Sequence, residues 1–559
     1  MSAHAPVMSA PNGANLESAA SPPRRGALDL ATAVRELASM PTAIPSSTQR
    51  HAWLHKAAEL RQEPRMRTVI PTVVVEAVQD PAAWQGWRMD PVGDVKELVL
   101  KQFKRGAIIH IDLGEHLVGQ PEFGFGSAGN PPDSPLRIRI RVSELPAEAA
   151  DPDRSITGSI SSCWHQDETV TLDEIPTTYR MPRRLAGRWL TLEVIDTAPN
   201  WRLTITAVRF HAVTGAAHEL PPPPAGLSPT LAGIDQVAMR TLRNCMQTVY
   251  EDGPKRDRRL WTGDLRLQLL ADGVGFHRIA LAERSLCLLA AFTRESDGAF
   301  PACCFERPAP HAAADVITDY CLALPAILCE LLRQGGNRSL IEDLAPLARH
   351  QIAIALEWLG PDETVIPPAG WWTFIDWKDG LDKRAPLHGV LCWALDSWLE
   401  LAGKLQIPVG EDVALIALLR ASGRATFCAD GTVTSNAQKS WAATAWMVLG
   451  KIITGDEART ALATTLADPA ALTPGGPYLM HQVVHALWVV GERERALALI
   501  TEFWGGMVAC GADVFWEVYD PAAPLRSPYN DFRLNSACHA WSCTPSWFLR
   551  APERAGRTA

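Results

Sequence analysis

Residues 479–504 read LMHQVVHALWVVGERERALALITEFW, and this stretch decides the fold of the larger part of the chain. Leu479, Val483, Val484, Leu487 and Val490 recur at the three- and four-residue spacing that lays an apolar stripe along an α-helix. Gly491 stops that stripe, and Ala496, Leu497, Ile500 and Trp504 begin a second one at once. Two amphipathic helices joined by so short a turn fold back antiparallel. The same helical text covers roughly 230–250, 264–291, 312–333, 339–359, 386–404, 411–422, 438–451, 457–466, 478–490, 493–505 and 534–548. Helices in such pairs fit a closed double ring, the (α/α)6 barrel, or an open solenoid. No 34- or 40-residue sequence repeat is visible, which favours the ring.

Upstream the text changes. Val73–Val75, Ile108–Leu113, Arg137–Val142 and Leu190–Val194 are short β-branched runs. In Arg137-Ile138-Arg139-Ile140-Arg141-Val142 charged and apolar residues alternate strictly, so one face is wet and the other packs on a core. Gly114, Gly119, Gly124, Gly126 and Gly129 are expected to supply turns between strands. Strands without intervening helices predict an antiparallel β-sandwich. The expected organisation is a disordered leader over 1–50 with one short helix near Leu28–Leu37, and a sandwich over 51–220. A Pro-rich linker over 221–228, the barrel over 229–550 and a tail over 551–559 complete it. The protein is thus expected to be multidomain and mainly α, with one all-β domain.

Composition narrows the function. The 53 basic and 62 acidic residues leave a net charge of −9, which offers no general attraction to nucleic acid or anionic membranes. Apolar runs such as Leu286–Phe292 fall far short of the roughly 20 residues that cross a bilayer. The 12 cysteines show no metal-ligand spacing and read as reduced, buried thiols, so neither metal nor cofactor is expected. Arg24-Arg25 only superficially resembles an export signal, and the expected location is the cytoplasm. There are 20 Trp but 6 Tyr, and flat polarised rings suit stacking on sugars as well as core packing.

Four phrases carry candidate chemistry. Glu251-Asp252-Gly253-Pro254-Lys255-Arg256-Asp257-Arg258-Arg259-Leu260-Trp261-Thr262-Gly263-Asp264 mixes carboxylates with cations around a Trp, a set able to hold sugar hydroxyls through charge-assisted hydrogen bonds. A charged helix entrance is otherwise simply a solvated surface. In Phe515-Trp516-Glu517-Val518 a carboxyl is flanked by apolar residues that would raise its pKa. Gly370-Trp371-Trp372-Thr373-Phe374-Ile375-Asp376-Trp377 sets three Trp around one Asp, and Ser536-Ala537-Cys538-His539-Ala540-Trp541 places a His beside a Trp.

These phrases, in this order over about 300 residues, resemble the α-L-rhamnosidases of glycoside hydrolase family 78. The loop from Asp252 to Asp264 is similar to that family's D-C-P-x-R-D-E-R-x-G-W-x-G-D signature. The other phrases resemble its T-x-W-E, G-D-W and S-x-x-H segments. The resemblance implies that Asp252, Arg256, Asp264 and Asp376 hold sugar hydroxyls and that Glu517 is the general base. Where the family carries the Glu that acts as general acid, alignment from Asp252 places Arg258, which cannot donate a proton near neutral pH. The loop lacks one residue before Trp261, however, and aligned backward from there Asp257 takes that place. Asp257 is therefore the expected acid and Glu517 the base of an inverting reaction on a terminal α-linked L-rhamnose. Lys255 and Arg258 are candidates to pair a neighbouring uronate. Trp261, Trp372, Trp516 and His539 complete the expected binding set. The partner is an oligosaccharide or glycoside, and a homo-oligomer is left open. A polysaccharide lyase on the same scaffold and a non-catalytic carbohydrate-binding protein are the competing readings.

Overall fold

The computed structural model describes residues 44–150 and 155–556. Most of the expected leader, including the short helix near Leu28–Leu37, lies outside the described residues, as do 557–559. The end of the leader, by contrast, is ordered. Ser47–Glu59 is a helix whose Ser46–Gln49 capping box closes its N-terminus. It packs on the helix Ile279–Ala291, and the Trp53 indole donates to Asp343 at 2.6 Å. Residues 47–59 therefore dock on the helical part of the molecule rather than open the β domain.

Nine strands follow: β1 Arg65–Val69, β2 Val73–Gln79, β3 Trp87–Asp94, β4 Ile108–Gly129, β5 Leu136–Ser143, β6 Asp167–Leu172, β7 Thr177–Arg180, β8 Leu185–Asp196 and β9 Trp201–Thr214. They form one continuous antiparallel sheet, with β2 and β7 branching off the main order β1-β9-β4-β8-β5-β6. β4 causes the branching. Residues 108–112 lie between β2 and β8, the register shifts before Leu117, and residues 119–129 run along β9. Side chains from both halves of β4 share one core, with Ile111, Ile138, Leu190 and Leu192 meeting Phe123, Ile205 and Phe210.

The glycines of this region correct their expected role. Gly119, Gly124 and Gly126 are inside β4, not in turns. A Cβ on Gly119 would stand 2.0 Å from the His211 carbonyl oxygen, and one on Gly124 would stand 2.4 Å from Thr206 Oγ1, so β9 approaches too closely for a side chain. The wet face of β5 is also incomplete. Ile138, Ile140 and Val142 are buried as expected, but so is Arg141, which donates to Asp167 at 3.0 Å.

Beyond Pro221, whose carbonyl accepts from Gln236 and Arg550, the chain is helical. The helices Thr262–Asp272, Leu324–Arg333, Arg384–Leu405, Trp441–Leu449 and Pro477–Val489 pack each on the next. Pro545–Arg550 sets Trp547 and Phe548 against His481 and His485 and touches Thr262–Asp272, so the row of contacts returns to its start. Thr262–Asp272 is buried on every side, whereas Arg493–Ala509 buries only Ala496, Ile500, Trp504 and Met507, the stripe of an outer helix.

Three helix expectations need correction. The run 264–291 is two helices, because Asp272 accepts the Tyr250 hydroxyl and the Arg278 amide and so ends the first. Residues 312–317 are not helical, and His311–Ala312 pairs instead with the strand Cys303–Phe305. In 534–548 only Pro545–Arg550 is an α-helix, because the amides of Ser536, Ala537, His539 and Ala540 bond to Glu517, Glu144, Phe515 and Asp252. Of the 12 cysteines, all free thiols, Cys163 is exposed and Cys428 and Cys510 are half-buried; the rest are buried. Among the described residues no helix is long and apolar enough to cross a membrane.

Candidate active site

A cavity with about 340 Å³ of empty volume is lined from the connections that lead into the inner helices. Asp252, Arg256, Asp257 and Trp261 precede Thr262–Asp272, which itself adds Asp264. Ile317 and Tyr320 precede Leu324–Arg333, and Trp372, Phe374 and Trp377 precede Arg384–Leu405. Glu517, Tyr529, His539 and Trp541 precede Pro545–Arg550.

The charged loop is closed by its own first carboxylate. Asp252 Oδ1 accepts the Arg259 amide at 3.0 Å and Oδ2 the Asp257 amide at 3.1 Å. Arg256 projects from the turn. Its Nη1 donates to Asp257 at 2.9 Å, its Nε to the Leu534 carbonyl at 2.6 Å, and its Nη2 to Glu517, 261 positions along the chain. One guanidinium thus spans both carboxyls singled out in the sequence. Two hydrogen bonds and the width of the fork hold their nearest oxygens within about 8 Å of each other.

Glu517 is 1% exposed. Its Oε1 accepts the Tyr529 hydroxyl at 2.6 Å, and Oε2 accepts the Ser536 amide at 2.9 Å besides Arg256. Burial alone would raise its pKa, but Arg256, His539 and the neutral donors outweigh burial and hold the carboxyl below its usual range. The neighbouring acids move the other way. Burial, then repulsion from Asp257, pushes Asp252 up to about 7. Burial, then Asp252 and Glu517, pushes Asp264 well above the carboxylate range. His539 is driven down to about 4, chiefly by burial, so its ring is neutral. Its Nδ1 stands 3.5 Å from Asp264 Oδ1, and neither atom has a hydrogen-bond partner. At neutral pH the cavity therefore offers an ionised Glu517, a protonated Asp264 and unpartnered polar atoms aimed at a ligand.

The opposite wall is aromatic. Phe374 stacks on Trp541 with centroids 5.8 Å apart and meets Trp377 edge-on at 5.0 Å. Trp372, 40% exposed, leans on both, and Trp261 meets Tyr320 edge-on at 6.4 Å. Such a wall suits the apolar face of a sugar ring.

Eight of the twelve expected site residues line the cavity: Asp252, Arg256, Asp257, Trp261, Asp264, Trp372, Glu517 and His539. Four do not. Lys255 is buried against Glu148 at 2.6 Å and Glu144 at 3.1 Å, so the strand domain neutralises it. Arg258 adopts a left-handed turn, φ 64°, that sends its side chain to the carbonyls of Pro254 and Lys255 and to Gln166. Neither cation faces the cavity, which removes their expected part in binding a uronate. Asp376 lies behind the wall, accepting the Gly475 amide, and burial pushes it up to about 7. Trp516 points away and packs on Trp84 at 5.0 Å. The sequence reading missed Ile317, Tyr320 and Tyr529 and did not select Phe374, Trp377 or Trp541 from the phrases that hold them. Tyr scarcity was the one available signal for Tyr320 and Tyr529. Among the described residues no group of three His, Cys, Asp or Glu is placed to hold a metal ion.

Opposed carboxyls in a cleft with an aromatic wall, beneath a helical unit carrying a β domain, are the marks of a glycoside hydrolase. Known proteins agree. The model of the glycosyl hydrolase family 78 alpha-rhamnosidase N-terminal domain matches residues 71–212. A rhamnosidase from Klebsiella oxytoca, solved with rhamnose bound, is 37% identical, covers 90% of this chain and 99% of its own, and superposes with a TM-score of 0.86. The chain belongs to glycoside hydrolase family 78. Two more distant structures share the fold. The family 78 rhamnosidase of Bacillus sp. GL1 is 20% identical over 83% of this chain and 49% of its own, TM-score 0.68. The Streptomyces avermitilis alpha-L-rhamnosidase complexed with L-rhamnose is 17% identical over 87% and 44%, TM-score 0.62. No curated protein matches the sequence at a significant level. Membership in a hydrolase family sets aside the lyase and the non-catalytic readings.

Proposed function

We propose that the protein removes a terminal α-linked L-rhamnose from an oligosaccharide or glycoside with inversion, and that its helical unit is a closed (α/α)6 barrel. The observation that carries the reading is the single Arg256 fork bearing Asp257 on one nitrogen and Glu517 on the other, within an aromatic-walled cavity. The rhamnose in the K. oxytoca relative supports the choice of sugar.

Glu517, held ionised by Arg256 and its companions, is the general base that takes a proton from the attacking water. Asp257 protonates the departing glycosidic oxygen. The bound of about 8 Å on their nearest oxygens leaves room for that water. Arg256, Asp252, Asp264 and His539 hold the ring hydroxyls, while Trp372, Phe374 and Trp377 take the apolar face of the 6-deoxy sugar. A second assignment of the acid has its own observation: Asp264 is the cavity carboxyl kept protonated by burial, with a free oxygen.

Rhamnosides with graded leaving groups test the roles. Loss of the general acid costs about 10²–10⁴-fold on poor leaving groups and much less on nitrophenol. Asp257→Asn is expected to show this steep dependence and Asp264→Asn a uniform loss; the reverse pattern assigns Asp264. Glu517→Gln should lose turnover on all of them. Proton NMR should detect β-rhamnose first, and α-rhamnose first would refute inversion. A wild-type protein inert toward every rhamnoside would refute the substrate.

A further inference from the structure

Lys255 left the cavity for a buried cluster that ties the strand domain to the catalytic loops. Glu144, just past β5, stands at its centre and is buried with His116, Glu148 and Lys255. Glu144 Oε1 accepts His116 Nε2 at 3.1 Å. Arg243 occupies Asn244 Oδ1, so the Asn244 amide nitrogen faces His116 Nδ1 at 3.0 Å and leaves Nε2 as the donor to Glu144. Glu144 Oε2 takes Lys255 Nζ at 3.1 Å and the Ala537 amide at 2.6 Å. Glu148 completes the group by accepting Lys255 at 2.6 Å and the Glu144 amide at 3.0 Å.

Both branches from Glu144 end on a catalytic carboxyl. Through Lys255 it grips the residue before Arg256, the fork that holds Asp257 and Glu517. Lys255 and Arg256 are moored side by side, on the carbonyls of Arg533 and Leu534. Through Ala537 it grips the residue after Ser536, whose own amide donates to Glu517 Oε2 at 2.9 Å. Successive amides of one segment thus serve the base and the buried cluster.

We propose that Glu144 of the strand domain is a positioning residue for the general base and the general acid, acting through Lys255 and through the Ser536–Ala537 amides. The proposal rests on Glu517 and Asp257 doing the chemistry. It makes the strand domain part of the catalytic apparatus, because the anion that orients both loops belongs to it. Lys255 is a cation where the family's signature usually carries Gln, so this chain holds its loop by charge.

The test is a double-mutant cycle in the full-length enzyme with Glu144→Gln, Lys255→Gln and the pair, with thermal midpoints measured alongside. Displacement of a loop by about 1 Å can cost on the order of 100-fold in rate. Glu144→Gln is expected to lower kcat by about tenfold or more with KM nearly unchanged. It should also move the acid limb of the pH–rate profile upward, as the Ser536 amide loosens from Glu517 while Arg256, Tyr529, His539, Asp252, Asp257 and Asp264 still face it. The double variant should be no worse than the worse single one. Where Glu144→Gln does not fold, the double variant, which removes one buried charge of each sign, carries the comparison with Lys255→Gln. A folded Glu144→Gln enzyme with wild-type kcat and an unmoved acid limb would overturn the proposal and leave Glu144 as domain glue; so would strictly multiplicative losses. Failure of the functional reading appears separately, as a wild type inert toward rhamnosides. A carboxyl-13C glutamate titration, with Glu517 assigned by its loss in Glu517→Gln, then still reports whether Glu144→Gln shifts the base.

Discussion

Tyr529→Phe removes one oxygen from the site and should move the enzyme's pH dependence without dismantling its geometry. The Tyr529 hydroxyl donates to Glu517 Oε1 at 2.6 Å, while Arg256 and the Ser536 amide both serve Oε2. The ring itself stays useful in the variant, since Arg256 lies 4.1 Å over its centroid and Trp377 meets it edge-on at 6.0 Å. A hydrogen bond to a charged group contributes about 1.5–3 kcal/mol, and about 1.4 kcal/mol is one pKa unit. The Glu517 pKa should therefore rise by about 1–2 units, towards the lower figure because water can enter the open cavity. The base works ionised, so activity falls as pH drops through its pKa, and a raised pKa moves that limb to higher pH. Turnover near pH 7 should stay within a few-fold of wild type, whereas near pH 5 it should drop by about tenfold. Stability follows the same sign. A depressed carboxyl stabilises the fold above its unfolded pKa of about 4.3 and loses that contribution as pH falls through the folded value. The variant should thus lose acid tolerance sooner than the parent. A pH–rate profile on an aryl rhamnoside between about pH 3.5 and 8 decides the matter. An acid limb that stays put, or moves down, would refute the assignment of Glu517 as the base whose charge these donors sustain.

Trp372, 40% exposed at the cavity mouth, should act in binding rather than chemistry. Trp372→Ala is expected to raise KM by about 3–10-fold, the worth of one aromatic contact, with kcat little changed; an unchanged KM would remove it from the sugar site. Gly119→Ala would drive a Cβ to 2.0 Å from the His211 carbonyl and should strongly lower the denaturation midpoint or prevent folding. Gly233→Ala, in the helix Pro229–Cys245 with open space around it, should instead add about 0.5–1 kcal/mol. Denaturation of the two variants side by side separates close backbone approach from simple glycine flexibility.

Much of this protein is legible residue by residue. The stripes that break at Gly491, the alternation over Arg137–Val142 and the proline-marked passage into Pro229 depend on neighbours within a few residues, so linear text records them. The loop from Asp252 to Asp264 and the phrase around Glu517 were likewise readable as acids set among cations and aromatics. What neighbours cannot record is where a side chain meets a partner hundreds of positions away. Lys255 and Arg258 look like cations awaiting an anionic ligand until Glu144, Glu148 and Gln166 of the strand domain are seen to occupy them. Glu517 looks like a carboxyl whose pKa burial would raise, and it becomes a low-pKa base only because Arg256 and Tyr529 fold onto it. The run from Leu534 to Trp541 has helical spacing, yet its amides are drawn off by Glu517, Glu144 and Asp252. Periodicity is written by local backbone geometry, whereas charge state and loop shape are set by whichever distant groups the packing brings within about 3 Å; the first was in the sequence, and the second existed only once the chain had closed.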